Sequence, residues 1–219
     1  MNMRKIILAS GSSRRKQLLE WAEVPFDVLI SDTDESFEDG LSPESAAIQI
    51  AVKKAVSVLK LIKTYQSSTE VFLIDNQELI NILDKIQESK EGIPPILSAD
   101  TIVVINNKVF GKPADKNEAT QMLIELSGTK HLVITGVCIL YKDQEIVFAD
   151  TTEVEFHNIT LQQIDFYIDK YKPYDKAGAY AIQEWIGVVG IKSVKGDFYN
   201  VMGLPVSRVI QQLNKLPIE

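Results

Sequence analysis

The sequence predicts an α/β protein in which short buried strands and amphipathic helices follow one another along 219 residues. The apolar run Ile6-Ile-Leu-Ala9 is typical of a buried strand, and a turn of small residues and a helix follow it. The run from Ile96 to Ile105 predicts the most apolar strand of the chain. The length is sufficient for a substantial core, in one large domain or two lobes.

The first turn, from Ser10 to Ser13, supplies small side chains and hydroxyl groups that can cap a helix. Arg14 and Arg15 then fall in the first turn of that helix. The N-terminal end of a helix carries partial positive charge, which disfavours a cation by roughly 0.3–1 kcal/mol. Two interpretations stay open here: a phosphate site formed with the free backbone N–H groups, or a solvated basic helix start. Neither the Walker motif nor the dinucleotide-binding glycine motif is present.

Composition excludes several classes of function. The net charge of −7 argues against general nucleic-acid binding, which depends on lysine and arginine. One cysteine and two histidines are too few for a structural Cys/His zinc site or a disulfide framework. Cys138 lies in an apolar run and is predicted to be a core residue. The apolar runs are too short for a membrane span or a signal peptide, so we expect no membrane partner and a cytoplasmic location.

Two charged features follow the second predicted strand, residues 25–30. Asp32, Asp34 and Glu35 form an acidic cluster that is either a set of oxygen ligands for a divalent cation or a surface turn. The spacing of apolar residues then predicts a helix over residues 42–63, with Lys54 in the middle of its apolar stripe. That lysine either extends to solvent or points into a site.

The segment from 64 to 95 has the character of a surface insertion. It begins with a loop-like stretch over 65–69, continues with a helix over 76–89 and ends in a Gly/Pro-rich break. None of its residues indicates chemistry.

Asp100 interrupts the apolar strand that follows. A buried carboxylate costs several kcal/mol unless it is paired or binds a metal, so Asp100 is a candidate functional residue. Asn106-Asn107 predicts a hairpin turn, and Lys112 follows the return strand.

The rest of the chain continues the pattern. We predict these elements: a helix capped at Asp115 that ends near Ser127, strands over 131–141 and 145–156, a helix capped at Thr160, a strand over 187–194, and a last helix after 203–205. The small-residue stretch 174–183 could approach a flat ligand, and Gln183 could read its hydrogen bonds.

Taken together, these segments resemble the Maf family of nucleoside triphosphate pyrophosphatases. The matching blocks occur in family order: Leu8-Ala-Ser-Gly-Ser-Ser-Arg-Arg15, Ser31-Asp-Thr-Asp-Glu35, Ala51-x-x-Lys54-Ala55, Ala99-Asp-Thr101, Gly111-Lys-Pro113, Leu126-Ser-Gly128, Asp175-Lys-Ala-Gly-Ala-Tyr-Ala-Ile-Gln183 and Gly203-Leu-Pro205. The chain departs from the family at Ser13, where proline is usual, and in the longer segment 64–95.

The resemblance implies a single domain over residues 1–219, with the insertion at about 64–95. It implies a long, twisted mixed sheet flanked by helices, with two lobes around a central cleft. It also implies hydrolysis of a nucleoside triphosphate to the monophosphate and pyrophosphate, dependent on Mg²⁺ or Mn²⁺. The late block resembles the subgroup that acts on dTTP and UTP, and homodimers are common in the family.

The family's functional positions coincide with the residues selected above. Asp100 is expected to be the general base or to hold the metal together with Glu35. The expected substrate-binding residues are Ser10, Arg14 and Arg15 on the triphosphate, Lys54 and Lys112 on the departing pyrophosphate, and Thr101 and Gln183 at the base. By analogy with the family, Arg14 also affects specificity.

Two alternatives remain at this stage. One is a pyrophosphatase with another base preference, such as 7-methyl-GTP or a modified pyrimidine nucleotide. The other is a nucleotide-binding regulator of cell division with little catalysis, although pure binding does not require a base such as Asp100.

Overall fold

A computed structural model describes residues 4–38, 40–67 and 76–217. The strands are β1 Ile6–Leu8, β2 Phe26–Val28, β3 Ile96–Ile105, β4 Lys108–Phe110, β5 Lys130–Tyr141, β6 Gln144–Phe156 and β7 Ile191–Lys195. The helices are α1 Ser13–Trp21, α2 Pro43–Ser67, α3 Gln77–Glu88, α4 Lys116–Leu126, α5 Leu161–Tyr171, α6 Trp185–Gly190, α7 Phe198–Met202 and α8 Val206–Leu213. Two short 3-10 turns, Pro173–Asp175 and Ala177–Ala179, follow α5.

The strands form one mixed sheet in the order β2-β1-β3-β5-β6-β7, and β4 also pairs with β3. β1 is parallel to both β2 and β3, whereas the pairs from β3 through β7 are antiparallel. This arrangement confirms the prediction of an α/β fold with a mixed sheet flanked by helices.

The sheet has a gap beside the middle of β3. β1 pairs with β3 only at Ile96 and Leu97, and β4 pairs with the same edge only from Val103 onward. Between them, residues 98–102 face no strand of the described chain on that edge. Because successive side chains of a strand point to opposite faces, the gap exposes Asp100 toward one face and Thr101 toward the other.

Helices cover both faces. α2 and α3 pack on the face that carries Ile7, Ile96 and Cys138, and the other helices enclose a larger core around Leu97, Val103 and their neighbours. Cys138 is a free, fully buried thiol, as predicted.

The helix α2 approaches the sheet closely at Gly136. A Cβ atom there would lie 2.3 Å from the backbone carbonyl carbon of Ala47. Only glycine allows α2 to cross β5 at this distance, and α2 carries Lys54 toward β3.

Several local predictions are confirmed. Asp115 and Thr160 cap α4 and α5, and Thr160 forms a complete capping box with Gln163. Asn106 and Asn107 both adopt positive φ, 48° and 63°, as a two-residue hairpin turn requires.

The predicted strand over 187–194 is wrong in its first half. Residues 185–190 form α6, and β7 begins only at Ile191. The backbone N–H of Gly187 donates to the carbonyl of Glu184 at 2.9 Å, and a Cβ at Gly187 would meet the Ile182 carbonyl oxygen at 1.7 Å. A tight turn that only glycine permits therefore overrides the strand preference of the two valines that follow. The short helix α7 is a second element that the sequence pattern did not predict.

The segment 64–95 is partly described. α2 continues to Ser67, beyond its predicted end, and Tyr65 Oη donates to Asp84 Oδ1 of α3 at 2.6 Å. α3 is confirmed, with Asn76 as its N-cap, and it packs Ile82, Leu83 and Ile86 against α2. The predicted loop over 65–69 is wrong at residues 65–67, which form the end of α2, and its last two positions lie outside the described residues. Among the described helices, none is long and apolar enough to cross a membrane.

Candidate active site

A cleft of about 520 Å³ opens at the gap beside β3. Its walls come from the β1–α1 loop, the acidic loop after β2, α2, β3, Lys112, the 175–181 segment and the turn at 201–203. Eight of the nine residues predicted for the site lie in this lining: Ser10, Arg14, Arg15, Glu35, Lys54, Asp100, Thr101 and Lys112. The ninth, Gln183, does not.

The β1–α1 loop forms the floor on one side. Ser12 is the N-cap of α1 and accepts a hydrogen bond from the backbone N–H of Arg15, so the predicted capping is confirmed. Ser10 Oγ accepts from the backbone N–H of Ser12 at 3.3 Å and from Arg15 Nη1 at 3.0 Å. The N-terminal end of α1 lies in the cleft lining, and an anion is favoured at such a helix end.

Arg15 is buried and bound on all three of its nitrogens. Nε donates to the carbonyl of Gly203 at 2.8 Å, Nη1 to Ser10 and Nη2 to Thr101 Oγ1 at 3.0 Å. Burial lowers the pKa of Arg15 to about 10, so the guanidinium is still charged at neutral pH. Three of its five N–H groups are committed to the protein.

Arg14 is held more loosely at the mouth of the cleft. Its Nε donates to the Met202 carbonyl at 3.2 Å, and Nη1 lies 3.3 Å from Asp175 Oδ2. Its side chain keeps a fifth of its surface exposed. Arg14 is thus the arginine with more freedom to meet a ligand.

Lys54 resolves the question that the sequence left open, because its ammonium points into the cleft. Nζ lies 2.7 Å from Asp100 Oδ1 and 2.9 Å from Glu35 Oε1. The Lys54 and Asp100 side chains are nearly buried, whereas Glu35 is half-exposed. Asp100 is therefore a paired carboxylate.

Glu35 contacts a second lysine from the opposite wall. Lys112 Nζ lies 3.2 Å from Glu35 Oε2. Partial burial disfavours the ionised carboxylate, but hydrogen bonds and charge from Lys54 and Lys112 outweigh it and hold the pKa of Glu35 below its ordinary value. The site thus combines two carboxylates and two lysines from four separate segments.

The acidic loop that carries Glu35 is fixed on α2. Lys53 Nζ donates to the Ser36 carbonyl at 2.7 Å, Ser31 and Ser57 hydroxyls lie 2.8 Å apart, and the Glu38 N–H donates to Gln49 Oε1. Of the predicted acidic cluster, Glu35 is linked to Asp100 through their shared contact with Lys54, and Asp32 also lines the cleft. Asp32 and Asp34 are exposed, and Asp34 accepts hydrogen bonds from Ser36.

Thr101 lines the cleft, and its hydroxyl is held by neighbouring side chains. Its hydroxyl lies 3.0 Å from that of Thr135, which donates to the Asn200 carbonyl at 3.2 Å. The strand register that pairs Thr101 with Thr135 places these two side chains together.

Gln183 is exposed in the turn before α6, outside the cleft lining. A network of polar side chains from neighbouring residues does reach the cleft. Asp175 contacts Arg14 and accepts from Lys176 Nζ at 2.7 Å, and the buried Lys176 lies 3.5 Å from Glu184. Tyr167 in turn donates to Glu184.

Apart from Arg14, the predicted site residues did not include the members of this polar network. Asp175 and Lys176 fall inside the late block quoted above, and their charge beside small residues is the signal that could have selected them.

The donor set fits a hard divalent cation that is shared with a phosphate ligand. Glu35 and Asp100 both face one point, the Lys54 ammonium. Within residues 4–38, 40–67 and 76–217, no three His, Cys, Asp or Glu side chains are clustered for a metal. Mg²⁺ is usually held by one or two carboxylates together with substrate phosphates and water, which two protein carboxylates permit.

The sequence matches one protein family and relatives that share one name. The family model described as "Maf-like protein" matches residues 5–216. The chain belongs to the Maf family. A protein from Parabacteroides distasonis, named dTTP/UTP pyrophosphatase, is 42% identical over 95% of this chain and 94% of its own. Relatives with the same name from Cytophaga hutchinsonii and Bacillus anthracis are 42% and 39% identical, over 96% and 99% of this chain and 84% and 98% of their own.

Proposed function

We propose that this protein is a dTTP/UTP pyrophosphatase, which hydrolyses the bond between the α and β phosphates and releases the nucleoside monophosphate and pyrophosphate. The proposal is supported by relatives about 40% identical over nearly the whole chain that carry this name. The structural observation that best supports the proposed function is the pairing of Asp100 and Glu35 with Lys54, in the same cleft as the N-terminal turn of α1.

In the proposed complex, the triphosphate lies against the first turn of α1. The N–H groups of that turn and the Arg14 guanidinium supply donors. Ser10 Oγ already accepts two hydrogen bonds, so its own O–H proton remains to donate to a phosphate oxygen.

Arg15 has a different part, since three of its N–H groups are committed to Ser10, Thr101 and Gly203. We therefore assign it mainly to positioning. It keeps the β1–α1 loop, β3 and the turn at residue 203 at a fixed separation. Its positive charge also stabilises the bound phosphates.

Glu35 and Asp100 would hold the metal, Mg²⁺ or Mn²⁺. When bound, the ion would neutralise charge on the triphosphate and polarise its phosphoryl oxygens.

Asp100 then accepts the proton of the attacking water, whose oxygen bonds to the α-phosphorus. The bond from that phosphorus to the bridging oxygen breaks, and Lys54 and Lys112 stabilise the negative charge of the departing pyrophosphate.

Base selection is assigned to Thr101, Arg14 and Gln183. Thr101 and Arg14 lie in the cleft, whereas Gln183 would have to turn toward it from the exposed loop before α6. The homodimer implied by the family stays a prediction.

The experiment that tests the reaction is hydrolysis in ¹⁸O-labelled water, with a panel of UTP, dTTP, CTP, GTP, ATP and 7-methyl-GTP. We expect turnover of UTP and dTTP, with the label in the monophosphate and none in pyrophosphate. Label in pyrophosphate would contradict attack at the α-phosphorus. Turnover confined to 7-methyl-GTP would contradict the base preference, and binding without turnover would favour the regulator of cell division.

A further inference from the structure

The Lys54 ammonium occupies the point where the two carboxylates of the site converge. Its Nζ lies within 2.9 Å of both Glu35 Oε1 and Asp100 Oδ1. Lys112 does not share this position, because it contacts only the other oxygen of Glu35 and its side chain is more than half exposed. Among the residues that the structure describes, Lys54 alone therefore bridges the pair.

A divalent cation bound by the same two oxygens would compete directly with this ammonium. Metal–oxygen distances near 2.1 Å would place the ion among the atoms that Lys54 now contacts. A metal ion and an ammonium that contact the same two oxygens lie close together, and like charges repel strongly in a partly buried site. Lys54 and the metal therefore cannot both make these contacts.

We propose that Lys54 is a placeholder cation. In the free protein it neutralises Glu35 and Asp100 and keeps divalent metal out. It leaves the pair when a metal–triphosphate complex enters, because the phosphate oxygens offer the displaced ammonium a new anionic partner. The proposal rests on the proposed function for the nature of that ligand.

Two consequences follow for binding. The free protein binds a divalent metal weakly, although it carries two carboxylates suited to one. Metal and triphosphate bind together, so the effective ligand is the metal–nucleotide complex.

The test is a Mn²⁺ titration without nucleotide, in which electron paramagnetic resonance measures the free ion. We expect Lys54→Gln to bind one Mn²⁺ at least tenfold more tightly than the unaltered protein. The matched control, Lys60→Gln, changes an exposed lysine of the same helix and should bind like the unaltered protein. Lys54→Gln combined with Asp100→Asn should lose the gained site. Equal affinity of Lys54→Gln and the unaltered protein would overturn the proposal.

A second measurement needs no variant, in case Lys54→Gln fails to fold. For the unaltered protein, the Kd for Mn²⁺ alone should be at least tenfold weaker than in the presence of saturating α,β-imido-UTP, with the Mn²⁺ bound by the analogue in solution subtracted. Equally tight binding without the analogue would overturn the proposal.

Failure of the placeholder and failure of the proposed function are distinguishable. UTP hydrolysis together with an unchanged Mn²⁺ affinity in Lys54→Gln would remove the placeholder and leave the enzyme. A gain of Mn²⁺ binding in a protein that hydrolyses no nucleotide would do the reverse.

Discussion

Arg15 Nη2 donates a hydrogen bond of 3.0 Å to Thr101 Oγ1, which joins the start of α1 to the middle of β3 across 86 positions of sequence. The same guanidinium reaches Ser10 and Gly203. One buried side chain therefore fixes three walls of the cleft relative to one another.

Arg15→Lys should destabilise the protein and disturb the site together. Lysine cannot reproduce three hydrogen bonds in a planar fork, and each bond from a charged donor contributes roughly 1.5–3 kcal/mol. We expect the free energy of unfolding to fall by about 2–4 kcal/mol in urea titrations, with a lower kcat for UTP.

Arg14→Lys is the matched control for this substitution. Its partner Asp175 is 63% exposed, and an ion pair with a solvated carboxylate contributes at most about 1 kcal/mol. Stability should hardly change, whereas KM for UTP should rise. Equal losses of stability in the two variants would contradict the separate roles assigned to the arginines.

His131 should make the stability depend on pH. It is buried with Nε2 2.7 Å from Tyr180 Oη, and burial lowers its pKa to about 4 from an ordinary 6.5. The unfolded chain binds a proton at His131 more readily than the folded protein does. The contribution of His131 to the free energy of unfolding is therefore complete above pH 6.5 and is lost as the pH falls toward 4. The loss amounts to about 3 kcal/mol.

Urea unfolding of the His131→Phe variant between pH 7 and pH 4 measures this effect. The variant should show a flatter pH dependence of stability than the unaltered protein, even where its stability at pH 7 is lower. His157→Gln, a change at an exposed histidine, should leave the slope unchanged. An unchanged slope in His131→Phe would refute the assignment.

Gly136→Ala should separate α2 from β5. The added methyl group would meet the backbone of Ala47 at 2.3 Å, and backbone cannot move aside as a side-chain end can. We expect a loss of about 3 kcal/mol or more in thermal or urea unfolding. Gly111→Ala, where the added methyl meets no described atom within 4 Å, is the control, and a similar loss there would argue against the close approach as the cause.

Lys176→Met should destabilise the segment beside Arg14. The buried ammonium lies between Asp175 and Glu184, so its removal leaves Glu184 with less compensation for its charge. We expect a loss of about 1–3 kcal/mol, against almost none for Lys195→Met at an exposed position. Circular dichroism during thermal unfolding measures both.

Most elements could be predicted because their signals are local. The apolar runs at β1 and β3, the caps at Asp115 and Thr160 and the turn at Asn106-Asn107 each depend on a few adjacent residues. The strand predicted at 187–194 was half wrong because the backbone turn at Gly187 depends on the approach of Ile182, which the sequence pattern does not contain.

The sequence predicted which residues gather in the cleft better than it predicted the contacts that they make there. Asp100 and Lys54 are conspicuous in apolar surroundings, and the structure pairs them. The three hydrogen bonds from Arg15 to Ser10, Thr101 and Gly203 arise from tertiary geometry, as does the position of Gln183 outside the cleft. Both concern side-chain directions, which spacing along the chain does not determine.

The most direct test of the proposed function is pyrophosphate release from UTP and dTTP with Mg²⁺ or Mn²⁺, measured for the unaltered protein and for Asp100→Asn. We predict release by the unaltered protein and a fall of about 10²–10³-fold in kcat for the variant, with circular dichroism showing that it is folded. Near-full turnover by a folded Asp100→Asn protein would contradict the role of Asp100. Absence of release from both nucleotides by the unaltered protein would contradict the proposed function.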